Sequence, residues 1–139
     1  MSMNKVLGVV IYGVLSFLLG WGIYGIVLMD LQRSNTTVYA GLEKNPPDLI
    51  VLFIANLAWG ALAVQIIDAL KAYSFMDAFK RTLPFIFCIM LGVDLGFMSF
   101  MNLYTWTWIV IDVLVGTVMW SLCNGVLGWW MGRGSNASA

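Results

Sequence analysis

The chain has 139 residues, of which 61% are hydrophobic and only 10% are charged, with seven basic and seven acidic residues. A soluble domain contains roughly 45–50% apolar and about 25% charged residues, so the apolar excess here cannot be hidden in one small core. The balanced charge argues against a nucleic-acid partner, which requires a basic surface. The composition therefore predicts an integral membrane protein, with the lipid bilayer as its main surroundings.

Four stretches of the chain are long and apolar enough to cross a bilayer, whose hydrocarbon core of ~30 Å needs about 20 residues of helix. They cover residues 6–29, 49–70, 84–101 and 107–130. The first stretch stays apolar and then ends in charged and polar residues, which predicts a retained helix rather than a cleaved signal peptide. Pro84 is predicted to open the third helix, where its missing N–H does no harm.

The four spans predict an all-α fold, an integral membrane four-helix bundle with up-down-up-down connectivity. The bundle forms a single transmembrane domain over residues 1–139, in which residues 133–139 are predicted to be a mobile tail because they are small and polar. Tryptophans flank the fourth span, and Trp106 and Trp108 at its start are typical of the aromatic belt at a membrane interface.

Basic residues in the short connections predict the orientation of the bundle. The side that holds both termini carries five of them, and the opposite side carries two. The five are Lys5, Lys71, Lys80, Arg81 and Arg133, and the two are Arg33 and Lys44. Because cytoplasmic loops are enriched in Lys and Arg, both termini are predicted to be cytoplasmic, an N-in and C-in topology.

Two acids, Asp94 and Asp112, are embedded in the apolar sequence of the third and fourth spans. They lie nine residues before and nine residues after Leu103, where the turn between these helices is centred. In an antiparallel pair both acids would lie at one depth, ~10 Å inside the outer boundary. Asn56 lies eight residues after Asp48, where the second helix enters from the same side, and reaches a similar depth. The three polar side chains are therefore predicted to form one layer inside the bundle, since intramembrane acids avoid lipid.

The acid layer admits two interpretations. No Lys or Arg occurs at that depth, so two facing carboxylates would repel each other unless one holds a proton or the pair holds a cation. Alternatively, an acid, a carboxylate and Asn56 form a hydrogen-bonded network that only locks the helices together. The residues themselves leave both interpretations open.

Aromatic residues accompany the acids along the predicted helices. Trp21 and Tyr24 lie at a comparable depth on the first span, while Trp59 and Trp120 lie nearer the midplane. Any one of them is more typical of packing, but an acid beside several rings suits an organic cation through charge attraction and cation–π contact. The candidate ligand-binding or cation-binding residues are Asp94, Asp112, Asn56, Trp21, Tyr24, Trp59 and Trp120.

The signatures of most enzymes are missing from the sequence. There is no histidine, so neither a Ser–His triad nor the usual imidazole metal site can form. Cys88 and Cys123 lie in different spans at different depths and are predicted to be free thiols. Neither a P-loop nor a dinucleotide-binding fingerprint occurs. The protein is therefore predicted not to be an enzyme and to have no catalytic residue, no metal site and no cofactor.

Three short motifs carry a resemblance to a known kind of protein. They are "WGIYG" at residues 21–25, "VYAGLEK" at residues 38–44 and "GWWMGR" at residues 128–133. On these motifs the chain resembles small bacterial four-helix membrane proteins that are grouped as domains of unknown function, and the resemblance covers most of the chain. It implies a multi-pass protein of the bacterial inner membrane and implies no activity.

Two functions are compatible with the sequence. The first is a small membrane protein that binds or transports a cation, a proton or a cationic or amphiphilic small molecule at the acid layer. The alternative is an accessory or structural membrane subunit whose buried acids only specify helix packing. A homo-oligomer is also open, because Gly128-x-x-x-Gly132 offers a helix contact. At the candidate ligand site, Gly92 and Gly96 flank Asp94 at a spacing that lets another helix approach closely.

Overall fold

The fold is described by a computed structural model, which covers residues 3–44 and 46–135. It contains α1 (Met3–Gly22), a π-helical segment (Ile23–Val27), α2 (Met29–Ser34), α3 (Leu49–Leu70), α4 (Phe75–Phe100) and α5 (Trp106–Ser135). Within these residues there is no β-strand, and an isolated antiparallel bridge joins Thr36 to Tyr104. The predicted all-α class is therefore confirmed.

Four of the helical stretches in the described part of the chain are long and apolar enough to cross a membrane. They are Met3–Val27, Leu49–Leu70, Phe75–Phe100 and Trp106–Arg133. Of the 18 consecutive residues that form the apolar part of each helix, only 6% are buried inside the protein in α4, whereas 50% are buried in α5. The apolar side chains of α4 therefore face outward, as they would toward lipid, whereas α5 supplies much of the core.

The third span differs from its prediction at its beginning, because α4 starts at Phe75 and Pro84 lies inside the helix. Ser74 caps this helix, with its hydroxyl oxygen accepting a hydrogen bond from the backbone N–H of Asp77 at 3.1 Å. Asp77 also places a negative charge in the first turn, where the helix dipole favours it. The capping residues thus start the helix two turns before the proline, and the prediction that Pro84 opens it is wrong.

The predicted tail is also shorter than expected. Residues 133–135 continue α5, which ends at Ser135. The rest of the predicted mobile tail, residues 136–139, lies outside the described residues.

The four long helices pack unequally. Close contacts join α1 to α3, α1 to α5 and α4 to α5, whereas α3 touches α4 and α5 at only a few positions. Tight approaches explain part of this pattern. A Cβ atom at Gly60 of α3 would lie 2.8 Å from the backbone oxygen of Val9 in α1. Small residues thus bring α1 and α3 together, while α3 and α4 stay apart over most of their length.

Polar contacts tie the ends of the helices together. At one end, Lys5 forms an ion pair with Asp68 at 2.6 Å, and the hydroxyl of Tyr73 donates a hydrogen bond to the same carboxylate at 2.8 Å. At the other end, the Thr37 N–H donates to the carbonyl of Leu103 at 2.7 Å, beside the bridge between Thr36 and Tyr104. The segment after α2 is thereby fastened to the connection between α4 and α5.

The glycines predicted to mediate oligomerisation have other surroundings. Gly128 packs against Ala78, and a Cβ atom added to it would lie 2.7 Å from the backbone oxygen of Ala72. Gly132 packs against the backbone of Tyr73 in the same way. This pair therefore receives the chain's own α3–α4 connection, which corrects its assignment as a contact for a second copy.

Candidate functional site

A cavity of about 690 Å³ lies between α1, α3, α4 and α5. All seven residues predicted from the sequence line it, together with other residues that were not predicted. The predicted ones are Asp94, Asp112, Asn56, Trp21, Tyr24, Trp59 and Trp120, and the additional ones include Ser16, Met90, Tyr104 and Trp108.

The two acids meet at the wall of this cavity. Asp94 is only 7% exposed, and its carboxyl group faces that of Asp112 on the neighbouring helix. Asp112 in turn faces the hydroxyl of Tyr24. A Cβ atom added to Gly116, one helical turn from Asp112, would lie 3.2 Å from this hydroxyl oxygen. Among the described residues, Oδ2 of Asp94 is buried without a hydrogen-bond partner. The pair therefore retains acceptor capacity that the protein itself does not fill.

No basic side chain of the described residues compensates these acids. The cavity lining contains neither Lys nor Arg. Two ion pairs lie elsewhere in the described part of the chain, with Lys5 bound to Asp68 and Arg81 lying 3.9 Å from Asp77. The cavity is thus an acidic site in apolar surroundings.

Asn56 lies on another wall and has its own partner. Its side-chain oxygen accepts a hydrogen bond from the Ser16 hydroxyl at 2.7 Å, and its amide nitrogen donates to the Leu52 carbonyl at 2.8 Å. Both Ser16 and Asn56 are buried. The predicted layer therefore separates into a pair of acids between α4 and α5 and a Ser16–Asn56 pair between α1 and α3. Ser16 could have been identified as the only serine within the first span.

A π-helical segment places Tyr24 at the cavity. Over Ile23–Val27 the helix widens, and the Leu28 N–H donates to the carbonyl of Ile23, five residues earlier, at 2.7 Å. Such insertions shift the register of side chains and occur frequently at functional sites. Residues 6–29 are predicted as one regular helix from the sequence, because hydropathy carries no signal for this widening.

Aromatic rings lie at two places along the cavity. Near the acids, Tyr24 packs edge-on against Trp108, with ring centroids 6.2 Å apart. Farther away, Trp120 lies 6.1 Å from Trp59 and also stacks on Tyr12. Trp108 is buried and lines the cavity, so its predicted place in an interfacial aromatic belt is wrong. The rings thus flank the acids on one side and form a second apolar group beyond them.

Tyr104 lines the cavity from the connection between α4 and α5. Burial raises the pKa of its phenol above the ordinary tyrosine value, and the nearby carboxyl groups of Asp112, Asp94 and Glu43 raise this pKa further. The phenol consequently stays neutral at physiological pH and can donate a hydrogen bond into the site.

The donor set does not resemble a conventional metal centre. In the part of the chain that the structure describes, no group of three or more Cys, Asp or Glu residues comes together to hold a metal ion. Cys88 is exposed, Cys123 is buried, and both are free thiols, as predicted.

Comparisons with known proteins do not add a functional assignment. No protein-family model, no curated protein and no solved structure matches this chain.

Proposed function

We propose that this protein spans a membrane and binds a small organic cation in the cavity between its helices. The observation that supports this most directly is the buried acid pair, in which Oδ2 of Asp94 has no hydrogen-bond partner among the described residues. A cation between Asp94 and Asp112 would provide the missing compensation. Buried polar and charged groups normally have such partners, because leaving them unpaired costs free energy.

The cavity suits an organic cation better than a bare metal ion. Its volume of about 690 Å³ is in the range of small-molecule pockets, roughly 300–1,000 Å³. Tyr24 and Trp108 offer aromatic rings beside the acids, and a cation within about 6 Å of such a ring is attracted by its electrons. Charge attraction and ring contact would therefore act on the same ligand group.

We further propose that the bundle lies in a bacterial inner membrane, with up-down-up-down connectivity and both termini in the cytoplasm. The excess of Lys and Arg on the side of the termini supports this orientation. Contacts among Lys5, Asp68 and Tyr73 are consistent with one end of the bundle collecting the N-terminus and the α3–α4 connection. The assignment to an inner membrane, and to small bacterial proteins of this layout, rests on the sequence resemblance.

The test of cation binding is the double substitution Asp94→Asn and Asp112→Asn. Thermal unfolding of the purified protein in detergent is followed with tetramethylammonium, larger organic amines and inorganic cations. We expect organic cations to raise the melting temperature of the original protein and to leave that of the double variant unchanged. The double variant should fold at least as stably without ligand, because replacing both members of a buried charged network is often neutral or stabilising. Asp30→Asn, which removes an exposed carboxylate outside the cavity lining, is the matched control.

Binding should also weaken as the pH falls. The titratable groups that face the site are Asp94, Asp112, Tyr24 and Tyr104. Phenols, whose ordinary pKa is about 10, take up no further proton in the acidic range. A proton taken up by the acid pair competes directly with the cation. Loss of the cation-induced stabilisation on acidification, with recovery on return to neutral pH, is the expected result.

The structural alternative makes the opposite prediction. If the acids only lock α4 to α5, no cation will stabilise the original protein at any pH, and the double variant will behave like the original. That outcome would overturn the binding proposal and leave an accessory or structural role.

A further inference from the structure

We infer that the ligand is an amphiphile, an ammonium group carrying an apolar chain, which reaches the acids sideways from the lipid through the gap between α3 and α4. This inference rests on the proposed cation-binding function and specifies its ligand class and its route.

The gap follows from the packing of the helices. Both α3 and α4 line the cavity, α3 through Leu52 and Trp59 and α4 through Val93 and Phe97. The two helices nevertheless meet at only a few positions, whereas α1–α3, α1–α5 and α4–α5 are closely packed. The cavity is therefore walled on three sides and open along the fourth.

The residues at this opening are apolar and exposed. Leu52, Trp59, Val93 and Phe97 keep between 43% and 49% of their surface accessible. An opening used by a hydrated ion would carry polar side chains along its rim, because an ion must replace its lost water. A rim of leucine, valine and aromatic residues is instead compatible with lipid and with an alkyl chain.

A route to the acids from water, at the end of the cavity that faces the loops, is more obstructed. The cavity is bounded toward the loops by Gln32, Pro47 and Tyr104. Tyr104 is held in place by its bridge to Thr36, and the Thr105 N–H donates to the carbonyl of Asn35 at 3.0 Å. A ligand arriving from water would have to pass this fastened segment.

An apolar groove on the outside of α4 continues from the opening. It is lined by Gly92, Val93, Gly96, Phe97, Phe100 and Met101. Val93 and Phe97 belong to both the groove and the cavity. A Cβ atom at Gly92 or Gly96 would meet no atom within 4 Å, so the glycines leave open space along the helix.

The two features together define the ligand. Its ammonium group would lie between Asp94 and Asp112, beside the rings of Tyr24 and Trp108. Its chain would leave past Val93 and Phe97 and lie along the groove. Asp94, which lines the cavity and whose Oδ2 has no hydrogen-bond partner among the described residues, marks the polar end, and the glycine-lined groove marks the apolar end.

The experiment uses a series of alkyltrimethylammonium ions, from methyl to decyl, added to the full chain in lipid nanodiscs. Binding is followed by the fluorescence of the cavity tryptophans and by the melting temperature. Each methylene buried against protein rather than water adds roughly fourfold to affinity. Burial of only two of the seven methylenes that distinguish the octyl compound from tetramethylammonium would therefore make it bind at least about tenfold more tightly. An octyl sulfate of the same chain length controls for simple partitioning into the lipid.

The double substitution Gly92→Leu and Gly96→Leu fills the groove at positions where the structure has room. It should remove most of the gain from chain length and leave the binding of tetramethylammonium unchanged. Equal affinity for all chain lengths would overturn the amphiphile inference while leaving cation binding intact. A chain-length gain that survives in the Gly92→Leu/Gly96→Leu protein or in the Asp94→Asn/Asp112→Asn protein would also overturn it, since the gain would then come from the lipid. If no ammonium ion of any length binds, the proposed function itself fails.

Discussion

Individual residues at the same depth of a helical bundle do not necessarily share partners. Asp94, Asp112 and Asn56 were predicted to face one another because their distances from the helix ends agree. The two acids do meet, since α4 and α5 are joined by a short connection and pack closely. Asn56 bonds to Ser16 because α3 packs on α1 and stays away from α4. Depth can be counted along the sequence, whereas the rotation of a helix and its choice of neighbour cannot.

The Ser16–Asn56 hydrogen bond should contribute measurably to stability. Replacing Ser16 with Ala leaves the buried side-chain oxygen of Asn56 without its donor. We expect a loss of about 0.5–2 kcal/mol, the range for hydrogen bonds between membrane helices and for orphaned polar groups. Unfolding of the detergent-solubilised protein in increasing dodecyl sulfate would measure it.

The matched control for this substitution is Ser99→Ala. The hydroxyl of Ser99 donates to the carbonyl of Gly96 at 2.7 Å, but the residue is exposed and bonds within its own helix. Its replacement should change stability by less than about 0.5 kcal/mol. Equal losses for the two serine variants would mean that the bond between α1 and α3 has no special role.

Tyr73 makes the stability of the folded protein depend on pH in the alkaline range. Its hydroxyl donates to the carboxylate of Asp68, and this hydrogen bond raises the pKa of Tyr73 above the ordinary value of about 10. A raised pKa in the folded protein means that the neutral phenol stabilises the fold. This contribution is complete below pH ~10 and is lost as the pH rises through the folded-state pKa.

The substitution Tyr73→Phe should therefore lower the melting temperature at pH 8 but flatten its decline between pH 9 and pH 12. The difference between the two proteins should shrink steadily with rising pH. The ion pair between Lys5 and Asp68 is present in both proteins, so its contribution to stability largely cancels in the comparison. A constant difference across the whole range would show that the phenolic proton does not matter.

At the scale of helices, hydropathy predicts the four long apolar helices, but local capping sets one of their boundaries. Apolar content adds up residue by residue, so four spans could be found without knowledge of the packing. The sequence predicts a helix start at Pro84, because proline lacks a backbone donor. The serine cap at Ser74 lies upstream, and α4 continues through the proline. The π-helical segment at Ile23–Val27 escaped prediction because it depends on packing and leaves no compositional mark.

Glycines on the helices divide into those that are needed for packing and those that leave open space. Gly128 faces Ala78 and the backbone oxygen of Ala72, and neither can move easily. The substitution Gly128→Ala should therefore lower stability by about 1–3 kcal/mol through overpacking. Gly96→Ala, at a site with no atom within 4 Å, is the control and should be neutral or stabilising by up to ~1 kcal/mol. Both variants would be unfolded in increasing dodecyl sulfate. If their unfolding curves coincided, the proposed difference between the two glycines would be wrong.

At the scale of the whole molecule, the candidate site depends on an incomplete ring of helices. Seven residues are predicted from the sequence as candidate binding residues, and all of them line one cavity. The gap between α3 and α4 could not be predicted from the sequence, because apolar residues on a helix can face either lipid or a neighbouring helix. The gap arises because α5 packs on both α1 and α4, whereas α3 packs mainly on α1. The same apolar surface that would reach lipid therefore also borders the acids.

The orientation of the whole molecule decides which face of the membrane lies nearer the acids. With the termini in the cytoplasm, the connection between α4 and α5 and the segment after α2 would lie outside, and the acids would lie in the outer half of the membrane. Leu42 and Met76 are well placed to test this, because both are more than half exposed and they lie at opposite ends of the predicted topology.

Each of these two residues would be replaced with Cys in a protein in which Cys88 and Cys123 are replaced with Ala. The background should fold, since both native thiols are free and neither forms a disulfide. On intact cells, a membrane-impermeant maleimide should label the Leu42→Cys protein and should label the Met76→Cys protein only after the membrane is opened. The reverse pattern would place the five basic residues outside and move the acid pair to the cytoplasmic half. An amphiphilic cation would then reach the acids from the inner leaflet, so the labelling result also determines from which leaflet the ligand series must be presented.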